Sequence, residues 1–452
     1  MHAVRVLALG ALALPLLLLV AAPALAAPGD VLGHNLYFQG GVNGDDTGWV
    51  VKVDPVGDPF FGADSATGPA SQEMLTWATS PIGAYWWEQH WNGSAGTYDF
   101  VHDMGIDGGG NVYLAGATNN SGAGLDYILL RYLNNGTYSR ARLYNGPLSS
   151  DDEAMAVTVD TAGNACMTGN SLGAGGDRDI VTVMVDATGV QTWADRVDSR
   201  WHGDDDGLAI ARSGSWIYVA GNVFHPGHGA DLVLIKYDAA TGKRVWTRYY
   251  DDPLHRNEHV SDVIATPTSV YVCGSGKSGA IKPGDAMLVR FSSSGARKWV
   301  RFFTGGWGGF DEGFMDAQRT VNGAVAVTGI ACRPGSAQDM ATVVYRNNGS
   351  IRWARFKSSS GTRSDVAFAL DVDGSGRIYI TGALRRAAGT SVVRTICYGP
   401  AGGTVWSTPF PVSPTGDDAA YDIEVGGTSV WVTGTSFQPA TGNDFLTIRY
   451  ER

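Results

Sequence analysis

Short runs in which aromatic, β-branched and small residues alternate recur along the chain, and each run stops at a glycine. The run "SGSWIYVAGN" at 213–222 returns as "GNVYLAGA" at 110–117, "TSVYVCGS" at 268–275, "GRIYITGA" at 376–383 and "TSVWVTGT" at 428–435. Alternation of this kind predicts a β-strand, and the glycine predicts a turn after it. The pattern therefore indicates a protein built from repeated β-strands.

Two independent markers give the length of the repeat. The glycines that end the aromatic runs recur at nearly equal intervals, at Gly116, Gly169, Gly221, Gly274, Gly329, Gly382 and Gly434. Tryptophans recur at the same interval, at Trp193, Trp246, Trp299, Trp353 and Trp406. Each unit contains an acid-led strand, the aromatic strand, a third strand such as "DLVLIKYD" and a fourth that holds the tryptophan. Four strands in about 50 residues predict one propeller blade, with the tryptophans filling the gaps between blades.

The units also resemble a known repeat family. "DGGGNVYLAG", "DTAGNACMTG" and "DGSGRIYITG", together with "DLVLIKYDAATGKRVW", are similar to the bacterial β-propeller repeat (SBBP-like) family, whose pattern is D-x-x-G-N-x-Y-x-x-G followed by D-x-x-x-x-K-Y-D, a glycine and a tryptophan. The resemblance covers nearly all of residues 82–452. It implies a propeller fold and almost nothing about activity, because the family is defined by its repeat and not by a site.

The number of blades depends on where the ring closes. The last unit ends at "DFLTIRYER" without a tryptophan strand, whereas Trp87 precedes Asp99 by the same interval that separates Trp246 from Glu258. This predicts an all-β fold, a single β-propeller of seven four-stranded blades over residues 82–452. An N-terminal strand at 84–91 would join the C-terminal blade and close the ring, which removes free sheet edges.

Residues 27–81 then form an N-terminal extension or a partial blade. "LYFQGG" and "DTGWVVKVDPVG" look like the second and third strands of a blade. Eight blades remain the alternative, in which this segment completes a further blade.

Residues 1–26 have the pattern of a signal peptide, with one arginine, a long apolar run broken by Pro15, and the small residues Ala24 and Ala26. The prediction is cleavage before Ala27 and a secreted, extracellular or periplasmic protein. No later segment has the ~18 apolar residues that would span a bilayer, so no membrane insertion is expected after cleavage.

Charge and cysteine content narrow the classes of partner. A formal net charge of −11 argues against nucleic acid or an anionic membrane, since both need a basic surface. The partner is expected to be an unidentified protein or carbohydrate. The four cysteines fall in different repeats, so free buried thiols are expected, and Cys332 with Cys397 is the pair to consider if a disulfide forms.

Several short motifs point to chemistry that their context does not support. "GSGKSG" at 274–279 lacks the first glycine and the following helix of a phosphate-binding loop. "DVDGSG" at 371–376 begins like a calcium-binding loop but has Gly382 at the position of the ligating glutamate. We therefore expect no cofactor, with Ca²⁺ as the alternative.

One blade resembles the pyrroloquinoline-quinone enzymes at four positions, Asp238, Thr241, Gly242 and Trp246. The adjacent cysteine pair of those enzymes is absent, so a quinone-dependent dehydrogenase is a third alternative. The histidine pairs in "FHPGHG" (His225, His228) and "LHRNEH" (His255, His259) have no recognisable ligand spacing and are interpreted as loop residues.

Two rows of acidic residues remain. One opens the third strand of the units, at Asp126, Asp179, Asp231, Asp285, Asp339 and Asp444. The other opens the first strand, at Asp99, Asp152, Asp205, Glu258, Asp311, Asp365 and Asp418. Because strands alternate in direction, both rows should lie on one face. A carboxylate in a tight turn usually accepts backbone N–H bonds, which accounts for much of both rows.

The first-strand row is the better candidate for a binding site, because its doublets exceed what a turn needs. The ligand-binding candidates are Asp152, Asp205, Asp311 and Asp418, which would attract a cation or a cationic or hydroxyl-rich ligand near the channel. The function that this favours is a non-catalytic binding or interaction module. The alternative is an extracellular hydrolase or lyase that acts on polysaccharide through carboxylates at the channel mouth.

Overall fold

The structure is a computed structural model that describes residues 26–37, 45–68, 71–119, 124–277, 284–306, 311–359, 363–386, 389–411, 413 and 416–452. The regular elements of this part of the chain are β-strands, and they form eight four-stranded antiparallel sheets. The predicted signal peptide falls almost entirely on residues 1–25, which lie outside the described residues. No helix in the described part of the chain is long and apolar enough to cross a membrane.

Each sheet is one blade of a single β-propeller. The first four blades consist of β2 (Thr47–Val53), β3 (Pro59–Gly68), β4 (Ser71–Thr79) and β5 (Tyr85–Trp91); β6 (Asp99–Ile106), β7 (Val112–Thr118), β8 (Asp126–Tyr132) and β9 (Tyr138–Tyr144); β10 (Asp152–Val159), β11 (Ala165–Leu172), β12 (Arg178–Val185) and β13 (Gln191–Val197); and β14 (Asp205–Ser213), β15 (Trp216–His225), β16 (Gly229–Asp238) and β17 (Arg244–Tyr250).

The other four blades consist of β18 (His259–Ala265), β19 (Ser269–Gly276), β20 (Asp285–Ser292) and β21 (Arg297–Phe303); β22 (Gly313–Arg319), β23 (Val325–Cys332), β24 (Gln338–Tyr345) and β25 (Ile351–Lys357); β26 (Val366–Val372), β27 (Ile378–Arg385), β28 (Ser391–Tyr398) and β29 (Thr404–Phe410); and β30 (Asp418–Gly426), β31 (Ser429–Gln438), β32 (Gly442–Glu451) and β1 (Val31–Tyr37). The inner strand of each blade contacts the inner strand of the next, and β30 contacts β2, so the ring is closed.

The ring closes with an N-terminal strand, but not with the strand that the sequence favoured. Strand β1 pairs antiparallel with β32, with Val31 opposite Tyr450 and His34 opposite Ile448. The segment at 84–91 is instead β5, the outer strand of blade 1, paired with β4. The seven-blade count is therefore corrected to eight, the stated alternative. Trp87 precedes Asp99 by the usual spacing because β5 is followed by the next blade like any other outer strand.

Residues 47–79 are not a partial blade but the three inner strands of blade 1. "TGWVVKV" forms the innermost strand β2 and not a third strand, while "LYFQGG" runs from the end of β1 into residues outside the described part. The spacing of the marker glycines did not identify this blade, because Ala63 occupies the position of the marker glycine in the other seven blades. In blade 1 the glycine is on the opposite strand, since Gly48 pairs with Ala63 whereas Val101 pairs with Gly116.

The repeated tryptophans fill the junctions between blades, as predicted. Trp193 packs on Tyr237 of the next blade at 5.7 Å between ring centroids, and its indole N–H donates to the Ala239 carbonyl at 2.9 Å. The equivalent contact at the junction between blades 7 and 8 joins Trp406 and Tyr450, also with 5.7 Å between ring centroids. Most of the side chains of the second and third strands are buried, so the core is a series of layers between neighbouring blades. All four cysteines are buried free thiols, as expected.

Candidate functional site

A β-bulge interrupts the inner strand of all eight blades at the same register. A bulge adds one residue to a strand, so two consecutive side chains can point to the same side. In β6 this turns both His102 and Asp103 to the central cavity, while Val101 and Met104 are buried in the core. The bulged residues are Trp49, His102, Met155, Leu208, Ser261, Met315, Phe368 and Tyr421.

Aromatic residues at or beside the bulges of neighbouring blades form one side of the channel opening, here called the aromatic mouth: Trp49, Phe100, His102, Phe368 and Tyr421. They line a cavity of about 570 Å³. The ring of Tyr421 lies 5.1 Å from that of Trp49 and 5.1 Å from that of Phe368, which is within the range of aromatic contacts. Trp49 is 40% exposed, so a ligand can reach its face.

A buried carboxylate fixes the orientation of Trp49. The indole N–H of Trp49 donates to Asp64 Oδ2 at 2.7 Å, and Asp64 Oδ1 accepts the backbone N–H of Val101 at 2.7 Å. Burial raises the pKa of Asp64 to about 7, although these two hydrogen bonds act in the opposite direction. Asp64 therefore joins blades 1 and 2 and holds the tryptophan at the opening.

Below the aromatic mouth lies a carboxylate ring, made of the four aspartates that directly follow a bulge: Asp103, Asp262, Asp316 and Asp422. Asp316 accepts the backbone N–H of Ala317 at 2.6 Å and that of Leu370, in the next blade, at 2.7 Å. Asp103 and Asp422 bridge to the next blade in the same way. The carboxylates thus hold adjacent inner strands together while they face the channel.

One ammonium group lies among these acids. Lys52 Nζ is 3.8 Å from Asp422 and 3.7 Å from Glu424, and the charge of Asp371 also acts on Lys52 and on Glu424. Among the described residues that line this cavity of about 470 Å³, Lys52 is the only lysine or arginine. The residues that line the channel cavity therefore carry five carboxyl groups, counting Glu424, against one ammonium group.

Crowding and burial shift the protonation of these groups. Burial raises the pKa of Asp103 to about 6 and that of Glu424 to about 8, in both cases against the opposing effect of Lys52. Burial, followed by the charge of Asp262, raises the pKa of Asp316 well above its ordinary value. Burial also raises the pKa of Asp262, although a side-chain hydrogen bond with Asp316 acts in the opposite direction.

The charge of Lys52 is retained despite its burial. Burial alone would lower the pKa of Lys52, but Asp422, Glu424 and further carboxylates hold it above its ordinary value. The channel is therefore acidic, partly protonated, and topped by an apolar opening. Such an arrangement can attract a cation electrostatically and hold its apolar groups against aromatic faces.

The two acidic rows do lie on one face, as predicted. The backbone N–H of Asp152 donates to the carbonyl of Leu125, and that of Glu258 donates to the carbonyl of Ala230. The start of each inner strand thus meets the start of the third strand of the preceding blade. All six third-strand aspartates are buried, Asp126, Asp179, Asp231, Asp285, Asp339 and Asp444.

Three of the four ligand-binding candidates are buried in turns. Asp152 accepts the N–H of Gly146 at 2.5 Å, Asp205 accepts that of Ser199 at 2.6 Å, and Asp418 accepts the Ser436 hydroxyl at 2.6 Å. Each is at most 1% exposed. Asp311 alone is exposed, and its carboxylate accepts the N–H of Gly284, while its neighbour Glu312 occupies the buried turn position. None of the four residues is among those that line the two cavities at the channel, and their role as ligand-binding residues stays a prediction.

The other motifs form turns between strands. Asp373 of "DVDGSG" accepts the N–H groups of Ser375 and Arg377, while Asp371 accepts the N–H of Val425 in the next blade at 2.8 Å. Asp238 of the quinone-like pattern accepts the N–H of Thr241 at 2.9 Å. "GSGKSG" is the end of β19 and the following loop, of which residues 278 and 279 lie outside the described part.

The sequence analysis did not identify the channel aspartates, although their spacing follows the repeat. Asp262 and Asp316 are separated by one repeat length, and Asp316 and Asp422 are separated by two. The position directly after the bulge faces the channel only because of the bulge. A single sequence does not show where a bulge occurs. Lys52 was missed because its strand was assigned to the wrong place in the blade.

The fold and the channel define this protein as a single eight-bladed β-propeller. No protein-family model and no curated protein matches the chain. Solved structures are similar in fold. A europium-containing methanol dehydrogenase is 10% identical over 94% of this chain and 93% of its own, with a TM-score of 0.49.

Two other solved structures resemble it to a similar degree. The β-propeller domain of the Trilobed protease from Pyrococcus furiosus is 9% identical over 82% of this chain and 97% of its own, with a TM-score of 0.48. The periplasmic gluconolactonase from Pseudomonas aeruginosa is 10% identical over 83% of this chain and 98% of its own, with a TM-score of 0.45. At these identities the similarity concerns the fold alone.

Proposed function

We propose that the protein is a non-catalytic binding module that takes an organic cation into the aromatic mouth, with the charge directed to the carboxylate ring below. The single observation that carries this proposal is the position of Trp49, Phe368 and Tyr421 above a channel lined by five carboxyl groups and one lysine. An ammonium group that carries methyl groups suits both layers. Aromatic faces attract such a cation through their quadrupole, and the acidic channel adds a long-range field.

The proposed place of action is outside the cytoplasm, in the cell envelope or the medium. The signal-peptide pattern of residues 1–26 supports this, and so does the resemblance of the repeats to the bacterial β-propeller repeat family. N-terminal sequencing of the protein exported by a bacterial host should give Ala27 as the first residue. A protein that stays in the cytoplasm and still carries the segment 1–26 would contradict this part of the proposal.

Binding can be tested with a matched pair of small molecules. Choline carries a trimethylammonium group, and 3,3-dimethyl-1-butanol has the same shape without the charge. Titration calorimetry should show saturable binding of choline and at least tenfold weaker binding of the neutral analogue. Equal affinity for both compounds would exclude recognition of the charge.

Variants of the aromatic mouth provide the structural test. Trp49→Ala should weaken choline binding by about 10-fold, because cation–aromatic contacts contribute roughly 0.5–2 kcal/mol. Trp86→Ala is the control, since Trp86 is 43% exposed against 40% for Trp49 but lies on the outer strand of the same blade. If the two variants bind alike, the aromatic mouth is not the binding site.

A second candidate function is favoured by one observation, the hydrogen-bonded pair Asp262 and Asp316. Two carboxyl groups in contact can share one proton, so that one can act as a general acid and the other as a general base on a polysaccharide. The test measures new reducing ends or unsaturated products from a panel of neutral and acidic polysaccharides. Turnover that is lost in Asp316→Asn and kept in Asp417→Asn, an exposed aspartate outside the channel, would replace the binding proposal with catalysis.

A further inference from the structure

Three histidines from two loops come together between blades 4 and 5, on the face that carries the acidic rows. His225 ends β15, His228 lies in the turn before β16, and His255 follows β17. The ring centroids of His225 and His228 are 3.9 Å apart, and those of His228 and His255 are also 3.9 Å apart. Trp201 stacks on the outer side of His225 at 4.0 Å, so the imidazoles form an ordered column.

Two carboxylates face the imidazole nitrogens. Nδ1 of His225 is 2.9 Å from Asp231 Oδ2, whereas Nδ1 of His228 and Nδ1 of His255 are 2.7 Å and 2.6 Å from Asp251 Oδ2. One ligand atom each from His225, His228 and Asp251 lies within 4.8 Å of the other two. Two histidines and one carboxylate are a frequent ligand set for divalent transition metals.

Unsatisfied oxygen atoms point independently to a missing cation. Asp231 Oδ1, Asp251 Oδ1 and Glu258 Oε2 are buried and accept no hydrogen bond. Asp231 and Glu258 are each 1% exposed, and oxygens of these two residues and Asp251 also lie within 4.8 Å of one another. A buried carboxylate oxygen without a partner is costly. A cation bound to Asp251 would satisfy the oxygen of that residue, and its charge would also act on the nearby oxygens of Asp231 and Glu258.

This junction also differs from two others in the ring. In blade 3 the third-strand Asp179 is paired with Arg196 at 2.8 Å, and in blade 6 Asp339 is paired with Arg333 at 2.5 Å. In blade 4 the corresponding Asp231 faces an imidazole instead of a guanidinium. The permanent positive charge of an arginine is thus replaced by groups that can bind a metal ion.

We propose that His225, His228 and Asp251 bind a divalent transition metal ion, with Zn²⁺ as the ion that best fits these ligands. The ion takes the place of the proton between His228 Nδ1 and Asp251 Oδ2, and that proton is released to solvent. Zn²⁺ bonds of about 2.0–2.2 Å place tetrahedral ligand atoms roughly 3.4 Å apart, so small side-chain rotations complete the site. Asp231 orients His225 from outside the ligand set.

The site is open to solvent on one side. A cavity of about 370 Å³ adjoins it, lined by His228, His255, Arg256 and Lys277 among others. A fourth coordination position can therefore hold water or a small anion, which the two basic side chains would favour. This site is independent of the aromatic mouth, so either can exist without the other.

The test uses the chain from Ala27, treated with a chelator and then dialysed against Zn²⁺. The expected result is one tightly bound ion per chain, and Co²⁺ in its place should give visible d–d absorption bands. His228→Gln and Asp251→Asn should each lower the Zn²⁺ affinity at least tenfold. Asp231→Asn should lower it by about 10–100-fold, as expected for loss of an outer partner of a ligating histidine.

A matched control is His202→Gln. His202 pairs with Asp198 at 2.9 Å at the preceding blade junction and is exposed, so its loss should leave Zn²⁺ binding unchanged. Melting temperatures without metal should agree between the wild type and the variants, which separates metal binding from folding. No saturable Zn²⁺ binding by the wild type, or an equal loss in His202→Gln, would overturn the proposal.

Discussion

Among single residues, the channel carboxylates combine a structural and an electrostatic role. Asp316 and Asp422 each hold the inner strand of the next blade through a backbone N–H group. Their convergence also concentrates negative charge where little water can screen it. Protonation of carboxylates such as Glu424, whose pKa is raised to about 8, relieves this repulsion.

The first prediction concerns stability and pH. The pKa of Glu424 is about 8 in the folded protein against 4.5 ordinarily, so the folded state binds the proton more tightly. The stabilisation from this proton is complete below pH 4.5 and is lost as the pH rises to about 8. Glu424→Gln should remove this contribution and reduce the fall in the free energy of unfolding between pH 5 and pH 8.5.

The reduction should be at least about 1.4 kcal/mol, the equivalent of one pKa unit. It is measured by urea unfolding at the two pH values. Glu451→Gln, on strand β32 of blade 8 and not among the residues that line the channel cavity, is the control and should keep the wild-type pH dependence. A wild-type protein equally stable at both pH values would contradict the prediction.

The second prediction concerns the pH dependence of ligand binding. Asp103, with a pKa of about 6, and Glu424, with a pKa of about 8, lose protons as the pH rises, so the channel becomes more negative. Choline affinity should therefore increase between pH 5.5 and pH 8.5. Titration calorimetry in buffers of different ionisation enthalpy should detect protons released on binding, and a flat pH profile would separate choline binding from these carboxylates.

Among the elements, the junction between blades depends on close contact of a tryptophan with a glycine turn. Gly29, just before β1, has φ +87° and its Cα faces Trp406 of blade 7. The turn glycines Gly136, Gly242 and Gly402 face Trp87, Trp193 and Trp353 in the same way. The segment before β1 therefore occupies the same place as the corresponding turns of the other blades, which explains why β1 completes blade 8.

The third prediction tests this contact. A Cβ at position 29 would lie 2.7 Å from the Trp406 ring, whereas one at Gly57, which also has a positive φ of +103°, would meet nothing within 4 Å. Gly29→Ala should destabilise the protein by about 1–3 kcal/mol more than Gly57→Ala, as expected for overpacking. Chemical unfolding of both variants measures the difference, and equal destabilisation would mean that the Trp406 contact is unimportant.

In the molecule as a whole, the ring is held closed by the N-terminal strand. Without β1, strand β32 would present an unpaired edge and the buried ring of Tyr450 would lose the cover of the residues near Gly29. Chain ends that are far apart in sequence thus form one sheet. Closure in this way opposes separation of the first and last blades.

The fourth prediction compares the chain from Ala27 with a chain that starts at residue 45 and lacks β1. The shorter chain should melt at a lower temperature and be cleaved first by protease within residues 416–452, because blade 8 loses its outer strand. The longer chain should resist cleavage there under the same conditions. Equal resistance would show that three strands are sufficient for blade 8.

The repeat can be predicted from the sequence alone, and with it the four-stranded blade, the tryptophan junctions and the shared face of the acidic rows. These features follow from local alternation and regular spacing, which most blades repeat. Blade 1 was hidden because Ala63 replaces the marker glycine, so a count of one residue type lost a complete sheet.

The point of ring closure and the meetings between distant side chains depend on the tertiary structure. The sequence pattern of Asp152, Asp205 and Asp418 does not distinguish ligand-binding carboxylates from structural ones. In the structure these side chains are buried and accept hydrogen bonds. The bulge turns Asp316 and Asp422 to the channel, and two loops bring His225, His228 and His255 into contact. These contacts join residues of different strands, loops and blades, and their distances depend on how the sheets pack, which local spacing does not specify.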